Sequence, residues 1–428
     1  MDVNIKDKAA SMKLSSYKMA SLSLETRNNA LRAVADSLIA NMDEIVRANE
    51  ADLKKAEEDG LKSSIFKRLK FNEDKINGVV KGINDLIKLE DPLSKELMKR
   101  ELDSDLLLIK ETCPIGVIGV IFESRPDAMV QIASLCIKSG NCAILKGGSE
   151  AMNTNRVVFN LIYQAALSAG LPENCMFQIE ARSDINEILK CHESVDLLIP
   201  RGSNQFVQYI MSNTKIPVMG HADGICHIYA DKNLDIDKAV RIIIDSKTQY
   251  PAVCNATETL LVHKDIAKEL LPALNAGLKA KNVEVRGTCD VREIIDCEEA
   301  TEEDFATEYL DLTISVKIVD DIEEAVMHIN KYGSHHTDCI ITEDRDACGY
   351  FMQNVDSAGV YNNCSTRFDD GYRYGFGAEV GISTGKLHAR GPVGLDGLCT
   401  YKYKMFGNGN IVDDYETGKR NYNFKDIN

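Results

Sequence analysis

The stretch from Pro114 to Leu145 constrains the fold most. Ile115 to Phe122 is apolar apart from Gly116 and Gly119, with the length and β-branched content of a buried strand. Pro126 follows at a position suited to the first helical turn, where a missing N–H costs nothing. Met129, Ile132, Ala133, Cys136 and Ile137 then recur as an apolar stripe that ends at Gly140. Cys142-Ala143-Ile144-Leu145 reads as a second buried strand. Two strands joined through a helix lie parallel with a right-handed crossover, so the chain is committed to a parallel sheet covered by helices.

The rhythm continues with a helix over 150–169 closed by Gly170, a strand Met176–Ile179, a helix at 184–190, and strands at 195–199 and 225–230. A doubly wound α/β domain is the economical fold, and its ligands bind beyond the carboxyl ends of the strands. Lys146-Gly147-Gly148-Ser149 and Arg201-Gly202-Ser203 fall at such ends. Upstream, Leu31, Val34, Leu38, Met42 and Ile45 mark one face of a helix within 24–56, and the first hundred residues read as mostly helical before a short strand at 106–109. A second α/β series begins close to Cys254, with strands at 257–262, 312–319, 339–342 and 359–361 and a helix over 321–332. Residues 375–397 form a glycine-rich functional loop, and 398–403 suits an edge strand. A chain of 428 residues needs two or three such packing units.

The net charge of −16 is spread through the predicted helices, which reads as solvated surface and argues against a basic patch for nucleic acid. No apolar run approaches twenty residues, so no membrane span is expected. The amino terminus lacks the apolar core of a secretory signal, and a cytoplasmic location is expected. Thirteen cysteines occur singly without a CxxC pair, which suits reduced thiols rather than a disulfide framework or a zinc site.

Four constellations could carry chemistry. Cys254 stands at the loop-like start of an apolar strand, where a sulfur is held rigidly at a cleft edge, although most small buried cysteines are inert fillers. Lys146-Gly147-Gly148-Ser149 joins an ammonium to backbone donors, a combination suited to ribose hydroxyls or phosphate, but it is neither a Walker sequence nor GxGxxG. His335 and His336 are adjacent, so on extended backbone they point to opposite sides and cannot easily share an ion; no metal site is expected. Arg367, Arg373, Lys386, His388 and Arg390 gather cations among glycines, which favours a pocket for carboxylate or phosphate.

Taken in order, Pro114 to Pro126, Ala143 to Gly148, Ile199-Pro200-Arg201-Gly202-Ser203, Gly224-Ile225-Cys226-His227, Cys254-Asn255-Ala256-Thr257-Glu258-Thr259, Ser334-His335-His336-Thr337-Asp338 and Gly377 to Pro392 resemble the aldehyde dehydrogenase superfamily. Within it, the chain resembles most the family of reductases acting on γ-glutamyl phosphate. The resemblance implies an NADP-binding domain over 1–236, with 98–112 contributing to an oligomerisation element. It further implies a catalytic domain over 237–390 and a carboxyl-terminal oligomerisation segment over 391–428.

By the same resemblance Cys254 is the nucleophile, with its backbone N–H, Asn255 and the region of Ser124 as oxyanion candidates. Lys146, Ser149, Gly202 and Ser203 would hold NADP(H); Ser149 stands where many NAD-using relatives place a carboxylate that would repel a 2′-phosphate. Glu308, with Asp311 as a neighbouring alternative, would meet the nicotinamide ribose, and Arg125, His221, Arg367, Arg373, His388 and Arg390 would meet the anionic substrate. The segment Val218 to Gly224 carries no glutamate of the kind that activates water in hydrolytic relatives. The implied reaction is NADPH-dependent reduction of γ-glutamyl phosphate to glutamate 5-semialdehyde, the second step of proline biosynthesis. A homo-oligomer and a partner glutamate 5-kinase are implied with it. The alternatives are another aldehyde dehydrogenase acting on a different small acid semialdehyde, and a cofactor-binding scaffold without activity.

Overall fold

The structure, a computed structural model, describes residues 4–61, 66, 68–123, 125–181, 184–221, 223–377 and 379–427. The chain divides into two compact units. The first comprises Met1–Met219, Gly377–Gly381 and Val393–Asn428, and the second Gly220–Phe376 and Ile382–Pro392. Among the described residues no helix is long and apolar enough to cross a membrane.

The first unit opens with helices Ile5–Met19, Leu24–Ala40, Met42–Glu58 and Glu73–Lys88. Asn4, Ser23 and Asn72 cap three of them by accepting from first-turn N–H groups. Strands β1 (Glu96–Asp103), β2 (Leu106–Pro114) and β3 (Val117–Phe122) follow. After the helix Pro126–Lys138 come β4 (Cys142–Lys146), β5 (Met176–Ile179) and β6 (Leu197–Arg201). Strands β3 to β6 form a four-stranded parallel sheet in the order β5-β4-β3-β6.

The helix Pro126–Lys138 is buried almost all round, because helices Leu24–Ala40, Glu73–Lys88 and Met152–Ser168 pack on the side that the sheet leaves open. Its last residue, Lys138, is fully buried and donates to the carbonyls of Ile87 (3.1 Å) and Leu89 (2.9 Å), which neutralises the carboxyl end of Glu73–Lys88. Burial pushes the Lys138 ammonium down to about 8.

The strand expected at 225–230 is β7 (Cys226–Ala230), but it does not belong to this first sheet. It pairs with β8 (Thr257–His263) and β12 (Thr337–Ile341) in the second unit. The boundary between the two contact units falls at Met219/Gly220, ahead of this strand. An apolar strand announces its burial and not its neighbours, so periodicity alone could not place it.

The second unit carries that sheet, seven parallel strands in the order β10-β9-β11-β8-β7-β12-β13. Its other members are β9 (Glu284–Gly287), β10 (Glu298–Glu299), β11 (Thr313–Val319) and β13 (Gly359–Asn362). Helices Ile236–Thr248 and Ala267–Ala280 bury Ala239, Ile243, Leu270, Leu271 and Leu274 on one face, and Ile322–Tyr332 buries Ala325, Val326 and Ile329 on the other. A short ribbon of β14 (Gly381–Ser383) and β15 (Gly391–Val393) follows.

Back in the first unit, β16 (Cys399–Phe406) lies antiparallel to β2, and β1 pairs with both β2 and β17 (Lys425–Asp426). This sheet joins 96–114 to the carboxyl terminus and leaves Tyr401, Tyr403, Met405 and Phe406 exposed. Strand β1 escaped the sequence reading because Glu96, Lys99, Arg100 and Glu101 break its alternation.

Candidate active site

Cys254 lies in a turn between the helix Ile236–Thr248 and β8, half-exposed, with Ala256 N–H donating to the Val253 carbonyl at 3.1 Å. The turn rests directly on Gly224. A Cβ at that glycine would lie 2.2 Å from the Cys254 carbonyl oxygen and 2.4 Å from its Cα, so no side chain fits there. The Cys226 thiol donates to the same carbonyl at 3.1 Å.

Asn255 is buried, and its amide donates to the Asp369 carbonyl at 2.7 Å; its own carbonyl accepts from the Thr366 hydroxyl at 2.7 Å. The side chain thus ties the Cys254 turn to the segment 365–369. Ser124 lies outside the described residues.

Two imidazoles join the cysteine. A ring nitrogen of His221, a ring nitrogen of His336 and Cys254 Sγ all lie within 4.8 Å of one another. The two rings meet edge to face, 4.9 Å between centroids. His221 Nδ1 donates to the Ile382 carbonyl at 2.9 Å. His336 is fully buried, with Nδ1 2.8 Å from the Thr337 hydroxyl, and its Nε2 is buried with no hydrogen-bond partner. The Thr337 hydroxyl donates in turn to Asp369 Oδ2 at 2.7 Å, and Asp369 Oδ1 accepts from Tyr374 (2.7 Å) and Tyr361 (3.1 Å). Neither His336 nor Asp369 was among the site residues expected from the sequence. His335 and His336 do turn to different surroundings, His335 toward the Asp356 carbonyl. That local argument says nothing of which residues a turned-in histidine meets from 82 and 115 positions away along the chain, at Cys254 and His221.

The cationic loop divides into two groups. Arg367 is buried, donates through Nε to Gln249 at 3.0 Å, and has Cys254, Arg373 and Asp370 in its surroundings. Burial pushes its guanidinium down, Arg373 adding to this. Arg373 donates to the Arg367 carbonyl at 2.7 Å. Lys386 and Arg390 instead converge on Asp356, at 2.7 and 3.1 Å, and hold its carboxyl below the usual range. His388 is exposed in the same loop.

Beneath β8, Lys247 and Glu258 form an ion pair with both side chains fully buried. Burial pushes Glu258 up to about 7 against the opposing pull of Lys247, and pushes Lys247 down. Glu308 is half-buried and lies in the surroundings of Glu258.

Several of the other cysteines lie in the core. Burial pushes the thiols of Cys136, Cys175 and Cys399 up to about 12 and raises those of Cys142, Cys226 and Cys339, which keeps them protonated and inert. All thirteen are free.

In the first unit, the carboxyl ends of β4, β3 and β6 stand side by side, with Ile121 opposite Lys146 and Phe122 opposite Arg201. Lys146 is buried with its ammonium against the Gly147 carbonyl. Ser149 is exposed at the start of a short 3-10 turn, and Gly202 and exposed Ser203 precede the helix Asn204–Ser212. Arg125 is exposed, 3.9 Å from Asp127. A Cβ on Gly147 would lie 2.2 Å from Asn155 Nδ2, and one on Gly202 2.8 Å from Glu123 Oε2. Bare backbone at the strand ends, with an ammonium beside it, fits the ribose and phosphates of a dinucleotide.

The aldehyde dehydrogenase family model matches residues 1–292. The chain is 58% identical over 415 residues to γ-glutamyl phosphate reductase of Ruminiclostridium cellulolyticum, covering 97% of this chain and 96% of that one. It is 57% identical over 423 residues to the enzyme of that name from Acetivibrio thermocellus, covering 99% and 98%. Its structure resembles the crystal structure of γ-glutamyl phosphate reductase from Thermotoga maritima, with a TM-score of 0.93 and 40% identity over 96% of this chain and 100% of that one. An acetylating aldehyde dehydrogenase from Geobacillus thermoglucosidasius, 17% identical with a TM-score of 0.63, shares the fold. The chain therefore belongs to the aldehyde dehydrogenase family of nicotinamide-dependent oxidoreductases and, within it, to the γ-glutamyl phosphate reductases.

Proposed function

We propose that the chain reduces γ-glutamyl phosphate to glutamate 5-semialdehyde and phosphate with NADPH, through a thioester on Cys254, in proline biosynthesis. One observation carries this reading: Cys254 is a half-exposed thiol in a turn shared with two imidazoles and Arg367, while burial keeps other thiols inert. The names of the relatives that match nearly end to end support the substrate.

The Cys254 thiolate attacks the acyl carbon, the C–S bond forms, and the bond to the phosphoryl oxygen breaks with its electron pair leaving on phosphate. NADPH, when bound, supplies the hydride that takes the acyl group to the aldehyde level. Lys146, Ser149, Gly202 and Ser203 would hold the dinucleotide, and Glu308 the nicotinamide ribose. The uncharged Ser149 leaves room for a 2′-phosphate, which supports NADP over NAD. Arg367, which has Cys254 in its surroundings, and Arg373 bonded to it suit the departing phosphate, while His388, Arg390 and Arg125 suit the rest of an anionic substrate.

The substrate is a labile acyl phosphate, so a kinase acting on glutamate must supply it. The antiparallel sheet of β1, β2, β16 and β17, with Tyr401, Tyr403, Met405 and Phe406 exposed, supports a homo-oligomer built through 98–112 and 391–428. Thirteen free thiols support a cytoplasmic home.

The test runs the reaction backwards. The protein should reduce NADP with glutamate semialdehyde only when inorganic phosphate is present, and Cys254→Ser should abolish turnover. Phosphate-independent turnover would refute the reading in favour of oxidation to the acid, and preference for another semialdehyde would favour a different substrate.

A further inference from the structure

His336 Nε2 is one of several buried polar atoms of the second unit without a hydrogen-bond partner, and it belongs to a ring that lies beside Cys254. Its tautomer follows from hydrogen-bond direction. Burial and Asp369 hold the Tyr361 and Tyr374 phenols protonated, so between them they supply protons to Asp369 Oδ1 and to each other. The Thr337 hydroxyl spends its one proton on Asp369 Oδ2 at 2.7 Å, which leaves its oxygen only as an acceptor toward His336. The proton between His336 and Thr337 therefore sits on His336 Nδ1, and Nε2 carries a bare lone pair. That lone pair is fully buried and unpaired in a group whose ring lies within 4.8 Å of Cys254 Sγ and His221.

We infer that His336 is the proton acceptor that activates Cys254, with Thr337 and Asp369 as its positioning residues; the inference rests on Cys254 being the nucleophile. A separation of up to 4.8 Å is longer than a hydrogen bond, and catalytic hydrogen bonds that are long without substrate tighten, or are bridged by one water, in the complex. The S–H bond breaks as His336 Nε2 takes the proton and the C–S bond forms. The bond from the acyl carbon to the phosphoryl oxygen breaks with its electron pair on phosphate, and the proton passes from His336 to that phosphate. When the C–S bond breaks again after reduction, its electron pair returns to sulfur, and solvent restores the proton.

Asp369 lies 3.4 Å from His336 Nδ1, close enough to stabilise the imidazolium once it forms. The other groups facing the pair are His221 beside it, Cys226 below the turn, and Arg367 on the Cys254 side, whose charge favours the thiolate. His221 is the rival base. It is half-exposed, and its Nδ1 ends on the Ile382 backbone carbonyl rather than on a group relayed to a carboxylate.

The test measures alkylation of Cys254 by iodoacetamide in the free enzyme from pH 5.5 to 9, read by mass spectrometry on the Cys254 peptide. Exposed Cys289 serves as the internal reference. His336→Gln should slow Cys254 alkylation at least tenfold at pH 6.5, leave the rate at pH 9 nearly unchanged, and leave Cys289 untouched. Thr337→Val, which keeps the imidazole but frees its tautomer, should give a smaller loss with the same pH pattern. A His336→Gln profile that superimposes on wild type, or the whole effect appearing in His221→Gln instead, would overturn the assignment. Alkylation needs neither substrate nor cofactor, so its outcome is separate from that of the phosphate-dependent assay. If His336→Gln fails to fold, seen as loss of its native circular dichroism, the Thr337→Val profile decides alone.

Discussion

Gly224→Ala offers the sharpest perturbation of the Cys254 turn, because every atom it meets is fixed. The new methyl carbon would sit 2.2 Å from the Cys254 carbonyl oxygen, 2.4 Å from its Cα and 2.5 Å from its Cβ, where ordinary contact begins at 3.4 Å. None of these is the end of a flexible side chain, so the turn must move by about 1 Å. A displacement of that size at a nucleophile costs on the order of 100-fold in rate, and forcing a methyl into packed surroundings costs about 1–3 kcal/mol of stability. Turnover in the phosphate-dependent assay should fall about 100-fold, with a stability loss of that size in urea unfolding. Gly78→Ala is the control: the site lies in the exposed face of Glu73–Lys88 with nothing within 4 Å, so alanine should stabilise by about 0.5–1 kcal/mol and leave activity alone. A Gly224→Ala enzyme within twofold of wild type in rate would show that the Cys254 turn is not held where the structure puts it.

Two further perturbations have defined outcomes. The Glu258 carboxyl is raised from 4.5 to about 7, so its contribution to stability is present below pH 4.5 and is lost as pH rises through 7. Glu258→Gln should flatten that fall, which amounts to about 3 kcal/mol at most, in urea titrations at pH 4.5 and 7.5; an unchanged slope would refute it. Arg27→Met strands Asp91, which now receives two bonds at 2.7 and 2.9 Å from the buried guanidinium, and should lower stability by about 3 kcal/mol; a loss under 0.5 kcal/mol would contradict the pairing.

The parallel framework was legible from residues alone, since the apolar runs of β3 and β4 around the stripe of Pro126–Lys138 admit hardly any other arrangement. The place of Cys254 at the mouth of β8 was legible for the same local reason, as were the glycines and the lysine at the strand ends. Those features depend on periodicity and turn chemistry, which act within a few residues. The tertiary structure decided the rest. β7 joined the second sheet because its edges found β8 and β12, and Glu96–Asp103 became a strand because β2 and β17 flank it despite its charges. Above all, it brought His336, one of two adjacent histidines, into the interior beside Cys254 and tied it through Thr337 to Asp369. Hydrogen-bond partners and burial of this kind are properties of neighbours brought together only by folding.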